Sequence, residues 1–380
     1  MKLTTEPDAL AAAVKFAARA LTARAAYPIL GGLKITASPG GGVEVAAFDH
    51  ETSARARINA EVGEPGTVLA PGRLLAGITA RLPRQPAELA AGDEGALTLA
   101  AGSTRYTLRL LPVDEYPALP ELADPAGQAD AGEFAAAVRQ VAVAASRDDT
   151  LPALCAVQAT FTGDVITMVT TDRYRAAVRH LPWQPSGGQL PPPVLIPVPA
   201  LADMARAAGP DPVRVHVLTG PDGVPAVAGF AFGDQAITAR LTAGDYPNMA
   251  AMIPAQFAAA AVLDAGELAE AVKRLAVVAA RETPIHLSFG PGQVELTAGS
   301  GDEADGTDAV GCELDGDPLT IAFHPRRLLD AITAIGTARA RIALTGPAKA
   351  GLITPASDDG PGEDAEPVYR HLLMPIRTAG

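Results

Sequence analysis

Ala70-Pro-Gly-Arg-Leu74-Leu, Ile196-Pro-Val-Pro-Ala-Leu201 and Phe323-His-Pro-Arg-Arg-Leu328-Leu are one segment written three times. Leu201 follows Leu74 by 127 residues, and Leu328 follows Leu201 by 127 again. A second segment recurs with it, as Asp8-Ala-Leu-Ala-Ala-Ala-Val14, Glu133-Phe-Ala-Ala-Ala-Val138 and Glu267-Leu-Ala-Glu-Ala-Val272. Pro112-Val-Asp-Glu-Tyr116-Pro is echoed by Thr242-Ala-Gly-Asp-Tyr246-Pro, each closing its unit. A period this long is domain-sized, so each copy can bury its own core. The expectation is three similar domains, at 1–122, 123–253 and 254–380, in a quasi-symmetric object rather than around a single cleft.

Within each repeat the hydrophobic period changes in a fixed order. Leu10, Val14, Ala17 and Leu21, like Phe134, Val138 and Val141, share one face of a helix, with basic residues between them. Asp8 is placed to cap the first such helix, and Asp264 precedes the third. Val43–Phe48 and Val165–Thr170 read as strands that run into acidic turns at Asp49 and Asp172, then into Arg-containing strands. A second helix follows Pro or Gly. Tyr106, Leu108 and Leu110 then alternate along a closing strand. Helix, strands, helix, strands, three times over, is an α+β architecture with antiparallel sheets backing two helices per domain.

Composition bounds the rest. Of 380 residues 48% are hydrophobic but only 4% aromatic, so Leu, Val, Ile and Ala must build the cores. Cys155 and Cys312 lie in different repeats and suggest neither a disulfide framework nor a metal site; buried thiols are expected. No uncharged apolar stretch reaches 18 residues, and Glu6 and Asp8 stand where a signal peptide would be basic, so a cytoplasmic location is expected. Pro355–Pro367 is acidic, rich in Pro and Gly and without apolar period, which predicts a surface loop.

The net charge of −13 looks wrong for a nucleic-acid binder until the charges are placed. The six expected helices (9–24, 72–84, 131–147, 198–208, 265–281 and 325–341) hold 16 of the 30 basic residues and 5 of the 43 acidic ones. They sum to +11 and leave −24 for the rest. Glu forms helices as well as Lys and Arg do, so its scarcity there marks a basic face in an acidic shell, a field that draws a polyanion to one side.

Motifs for catalysis fail. Gly346-Pro-Ala-Lys349-Ala-Gly lacks the Lys-Ser/Thr of a phosphate loop. The acidic run from Asp302 to Asp308 resembles a calcium loop, but Cys312 stands where its closing Glu belongs. Asp49-His50-Glu51 reads as a turn, the six histidines form no ligand pair, and no Ser or Cys has an activating partner in any motif.

Leu-Pro-Val-Asp-Glu-Tyr-Pro at 111–117, Thr-Asp-Arg-Tyr-Arg at 171–175 and Leu372-Leu-Met374-Pro375-Ile-Arg377, in that order, resemble the bacterial DNA polymerase III beta subunits, the sliding clamps. The resemblance covers the whole chain, and the Ala- and Pro-rich composition looks actinobacterial. It implies a DNA clamp fold, paired head to tail in a ring around double-stranded DNA without sequence preference. It implies no catalytic residue, metal or cofactor, and no membrane. The function implied is to tether the replicative polymerase and other factors for processive synthesis; the alternative is an acidic protein-binding adaptor that does not encircle DNA.

Residue by residue, the resemblance offers Lys15, Arg19, Arg24, Arg81, Arg139, Arg147, Arg206, Lys273, Arg274 and Arg281 as phosphate contacts. Tyr106 and Leu108 on one edge, with Val277 and Val278 on the other, would close the dimer, and Arg105 and Arg109 would face Asp302, Glu303 and Asp305. A pocket for peptide tails of polymerases, clamp loader and repair proteins would comprise Leu154, Thr171, Arg173, Tyr174, Arg175, Ala176, Pro247, Met252, His324, Arg327, Leu372, Leu373, Met374, Pro375, Ile376 and Arg377. His324 departs from the Asn often found there, Arg326 and Arg327 from small or aromatic residues, and Thr378 from an apolar one. The added cations should favour acidic tails, as in a second clamp copy tuned to different ligands.

Overall fold

The computed structural model describes residues 1–21, 27–92, 95–249, 252–254, 256–279, 283–299, 304–356 and 367–376. Six α-helices recur in pairs: α1 (Pro7–Ala17), α2 (Gly72–Thr79), α3 (Ala131–Ala142), α4 (Val198–Ala207), α5 (Ala265–Leu275) and α6 (Pro325–Ala334). Strand pairing among the described residues is antiparallel throughout.

The chain forms two compact units that divide its central third. One holds Met1–Phe134, Trp183–Pro192 and Pro199–Leu241. Its nine-stranded sheet is continuous because Gln235–Arg240 pairs with Thr52–Asn59, where the Ser53 and Thr238 hydroxyls bond at 2.6 Å in the buried interior. α1 packs on one face of this sheet, with Phe16 edge-on to Phe232 at 5.8 Å. A separate five-stranded sheet ends in Thr104–Arg109 as an edge strand.

The other unit holds Ala135–Pro182, Pro193–Val198 and Thr242–Gly380, on a twelve-strand order. There Arg175–Pro182 pairs with Tyr369–Leu373, in the register Arg175↔Leu373 and Ala177↔His371, so the last strand continues a sheet begun in the central third. Strict alternation, as along Ile285–Gly290, sends every second residue into the core. Leu, Val, Ile and Ala do fill both interiors; Phe134, Phe323 and Tyr369 are the aromatic exceptions among the largest fully buried side chains.

Five helices start where the sequence indicates and α1 two residues earlier; α4 ends one residue short of expectation, the other five by five to seven residues. α1 stops at Ala17 and tightens into a 3-10 turn, Ala18–Ala20, which carries Arg19. α2 ends before Leu82-Pro83, because the residue before Pro disfavours helix. After α6, Gly336 takes φ 75°, and Arg339 and Arg341 lie on a strand, Arg339–Leu344.

Capping also departs from expectation in one repeat. Asp264 Oδ1 accepts the Glu267 N–H at 2.8 Å, and Asp130 Oδ1 accepts the Glu133 N–H at 2.9 Å. In the first repeat Glu6, not Asp8, is the N-cap residue and makes no side-chain bond. Pro7 there needs no donor partner, and Asp8 lies in the first turn, where a carboxylate favours the helix dipole.

Candidate functional site

The two acidic turns are built alike. Asp172 Oδ1 accepts the Tyr174 and Arg175 N–H groups at 3.0 Å each, and Arg173 takes φ 76°. Asp49 Oδ1 accepts the Glu51 and Thr52 N–H groups at 3.0 and 2.7 Å, and His50 takes φ 75°. The Tyr-Pro echo has its reason here. Tyr246 Oη accepts the Thr171 N–H at 3.0 Å, and Tyr116 Oη accepts the Phe48 N–H at 2.7 Å, so each tyrosine pins the strand entering its turn. Burial pushes both phenols up and keeps each O–H protonated.

The turn at Asp172 is fastened to its surroundings by charge. Arg175 is 8% exposed; its Nε donates to Asp172 Oδ2 at 3.1 Å and its Nη1 to Asp330 Oδ2, on α6, at 2.7 Å. Arg175 is therefore a strut, not the rim cation that its poor fit to a core suggests. Arg327 occupies the rim. Its Cζ lies 4.2 Å from the centroid of the exposed Tyr174 ring, and its Nε is 4.0 Å from Asp172 Oδ2. His324 caps α6 with Nδ1, accepting the Arg326 N–H at 3.2 Å.

The chain's last described segment completes the site. The Met374 N–H donates to the Tyr174 carbonyl at 2.9 Å, and the Ile376 N–H to Ala322 at 2.8 Å. Beside it Val169, Ala176, Val178, Met249, Ala343, Leu352 and Leu372 form a buried apolar cluster, flanked by Tyr246, Ile253 and Phe257. Met252 is 50% and Met374 37% exposed, and both offer soft apolar surface. Pro247 is exposed, and Leu154 is buried in a 3-10 turn, Pro152–Cys155, next to Gly244. Leu373 is fully buried, so it supports the site without lining it. Arg377 lies outside the described residues. Sequence reading missed Asp330, Met249, Ile253, Phe257 and Leu352; only Met249, three residues beyond the Tyr246 echo, carried a local signal.

Beneath the strand Tyr369–Leu373 is a buried polar pair. Tyr369 Oη donates to the Gln140 carbonyl at 3.1 Å and lies 2.9 Å from His371 Nδ1. Burial, aided by the Arg175 charge, lowers the His371 pKa to about 3. The two thiols are pushed up by burial and are free; Cys155 is half-buried rather than buried.

The basic candidates divide into two groups. Lys15, Arg19, Arg81, Arg139 and Arg147 are exposed and meet no carboxylate among the described residues. Lys273 pairs with Glu270 at 2.7 Å, Arg274 with Asp308 at 2.7 Å, and Arg206 with Asp203. Those three are already partly neutralised. Arg24 and Arg281 lie outside the described residues.

Of the edge candidates, Tyr106 is half-buried on the edge strand, but Leu108 is 2% exposed and belongs to the core. Val277 is 84% exposed just after α5, whereas Val278 is half-buried, its Cγ2 close over Gly306. Asp302 and Glu303 lie outside the described residues. No helix among those described is long and apolar enough to cross a membrane, and no cluster among them could hold a metal ion.

Comparison with known proteins matches this threefold plan. Family models described as the N-terminal, central and C-terminal domains of the DNA polymerase III beta subunit match residues 1–120, 128–248 and 250–369. A beta sliding clamp of Streptomyces coelicolor is 41% identical over 382 residues, covering 100% of both chains. One of Micrococcus luteus is 42% identical over 315 residues, 83% of this chain and 100% of that one. The crystal structure of a DNA polymerase sliding clamp from Caulobacter crescentus superposes with a TM-score of 0.86 at 26% identity, covering 100% of both chains. The fold is that of a DNA clamp. The chain belongs to the DNA polymerase III beta subunit family, the bacterial sliding clamps.

Proposed function

We propose that two copies of this chain join head to tail into a ring of six similar domains, which encircles duplex DNA and tethers the replicative polymerase and other factors for processive synthesis. The observation that carries this reading is the succession of three beta-subunit domains along one chain. The role is non-catalytic: the protein holds, and its partners react. Exposed Lys15, Arg19, Arg81, Arg139 and Arg147 supply phosphate contacts that register no sequence, as sliding requires. The face formed by Tyr174, Arg327, Met374 and the apolar cluster takes the short peptide tails of partners, with an apolar floor for an anchor and polar groups for orientation. An adaptor that never encircles DNA has no observation in its favour.

The seam is tested by sedimentation velocity at micromolar concentration. Tyr106→Glu with Val277→Glu should give folded monomers, because neither side chain is core. Leu108→Glu is a different lesion, since burying a charge in place of a core leucine costs several kcal/mol, roughly 3 or more, and unfolds the domain. A Tyr106→Glu/Val277→Glu protein that still sediments as a dimer shows that the seam lies elsewhere.

A further inference from the structure

Two arginines outside the helices that carry the basic excess meet where the first third of the chain joins the central third. Paired residues on neighbouring antiparallel strands share a sheet face, and here the pairs run Arg55↔Ala236, Ala236↔Ala231 and Ala231↔Arg214. Arg55 and Arg214 therefore flank a floor of two alanines, in a pocket of about 440 Å³. Phe232, which meets Phe16 of α1, alternates with Ala231, so this is the sheet face turned away from α1.

Neither charge has a counter-ion. Arg55 and Arg214 are half-buried, and each is aimed by a backbone carbonyl: Arg55 Nη2 donates to Pro120, and Arg214 Nη2 to Gly233 at 3.1 Å. A carbonyl orients a guanidinium without neutralising it. Arg55 Nε is buried and has no hydrogen-bond partner, a costly state for a charged donor. Glu121 and Asp234 line the same pocket, yet among the described residues neither forms an ion pair with Arg55 or Arg214. Arg57, at the edge, is already paired through Nε with Glu44 at 3.1 Å.

The pocket is also preformed. Its linker wall is pinned at Pro120 by Arg55 and at Ala123, whose carbonyl accepts the His216 Nδ1–H at 2.8 Å. Between them Leu122 packs onto Gly229, where a Cβ would lie 2.5 Å from Leu122 Cδ2. Two guanidinium forks fixed in advance on either side of a small floor suit an anion with acceptor oxygens on several sides, more than a planar carboxylate that one fork satisfies.

We propose that this pocket binds a phosphate-type oxyanion between Arg55 and Arg214, and that the bound anion fastens the first third of the chain to the central third. Glu121 and Asp234 repel the ligand and keep the affinity for the free anion low. The exposed helix cations assigned to DNA take no part, and neither does the peptide face.

The test is calorimetry on the full-length protein at constant ionic strength, with inorganic phosphate, phenyl phosphate and acetate as probes. Phosphate should bind saturably and acetate at least roughly tenfold more weakly. Phenyl phosphate binding as well as phosphate marks a group carried on a larger molecule; its exclusion marks the free anion. Arg55→Gln and Arg214→Gln should each weaken phosphate binding by roughly fivefold or more. Asp234→Asn should tighten it roughly two- to threefold, a gain that no folding defect produces. Lys15→Gln with Arg19→Gln should leave it unchanged. Excess phosphate should raise the melting midpoint of the native protein and not that of the Arg55→Gln/Arg214→Gln variant. No saturable phosphate binding, acetate binding as tightly as phosphate, or binding that survives Arg55→Gln/Arg214→Gln overturns the proposal.

Discussion

His371 shows how one residue ties stability to the last strand. It is wholly buried against Tyr369, and its folded pKa of about 3 lies below the ordinary 6.5. Between those values the unfolded chain takes up a proton that the folded protein refuses, so stability falls as pH drops from about 6.5 towards 3. The slope approaches about 1.4 kcal/mol per pH unit from this group alone. His371→Phe should flatten that part of the profile relative to the native protein in urea melts across the range, and parallel profiles would show that His371 does not titrate on unfolding. Arg175 makes the complementary point about reading sequence. An arginine among apolar neighbours looks like a rim residue, and nothing local reveals that Asp330, 155 positions on, completes its cage.

At the scale of elements, the repeats predicted helix starts better than helix ends. Starts depend on local chemistry, a side-chain cap or Pro at the first turn, and Asp264 was visible as such. Ends are set by where tertiary packing stops rewarding another turn, which left Arg147, Arg339 and Arg341 off the helices expected to carry them. The caps themselves are unequal, and that gives a contrast to measure. Asp264→Ala removes a 2.8 Å bond to the Glu267 N–H and should cost about 1 kcal/mol in chemical denaturation. Glu6→Ala removes no cap bond and should change stability by less than about 0.5 kcal/mol. Equal losses would mean that the α5 cap is not formed in solution. The strands were more legible, since period-two alternation decides the face. Their continuation from one third of the chain into another, Gln235–Arg240 onto Thr52–Asn59 and Arg175–Pro182 onto Tyr369–Leu373, carries no local signal.

For the molecule as a whole, a chain of net charge −13 is asked to hold a polyanion. The resolution lies in where its cations stand and which are already paired. Neutralising four of Lys15, Arg19, Arg81, Arg139 and Arg147 should lower the slope of log affinity against log salt by roughly 3 to 4, at about 0.9 per phosphate contact. Neutralising Lys273, Arg274 and Arg206 should do less, because Glu270, Asp308 and Asp203 already compensate them. Threefold repetition was legible in the sequence, and so were the i,i+3 pairs Glu270–Lys273 and Asp203–Arg206; the pairing of Arg274 was not, since Asp308 reaches it only through the fold. The central claim is topological, and one measurement addresses it. Protein loaded on nicked circular DNA should be retained through gel filtration and should be lost when the same DNA is cut once to linear form. Equal retention on circular and linear DNA would contradict an encircling clamp.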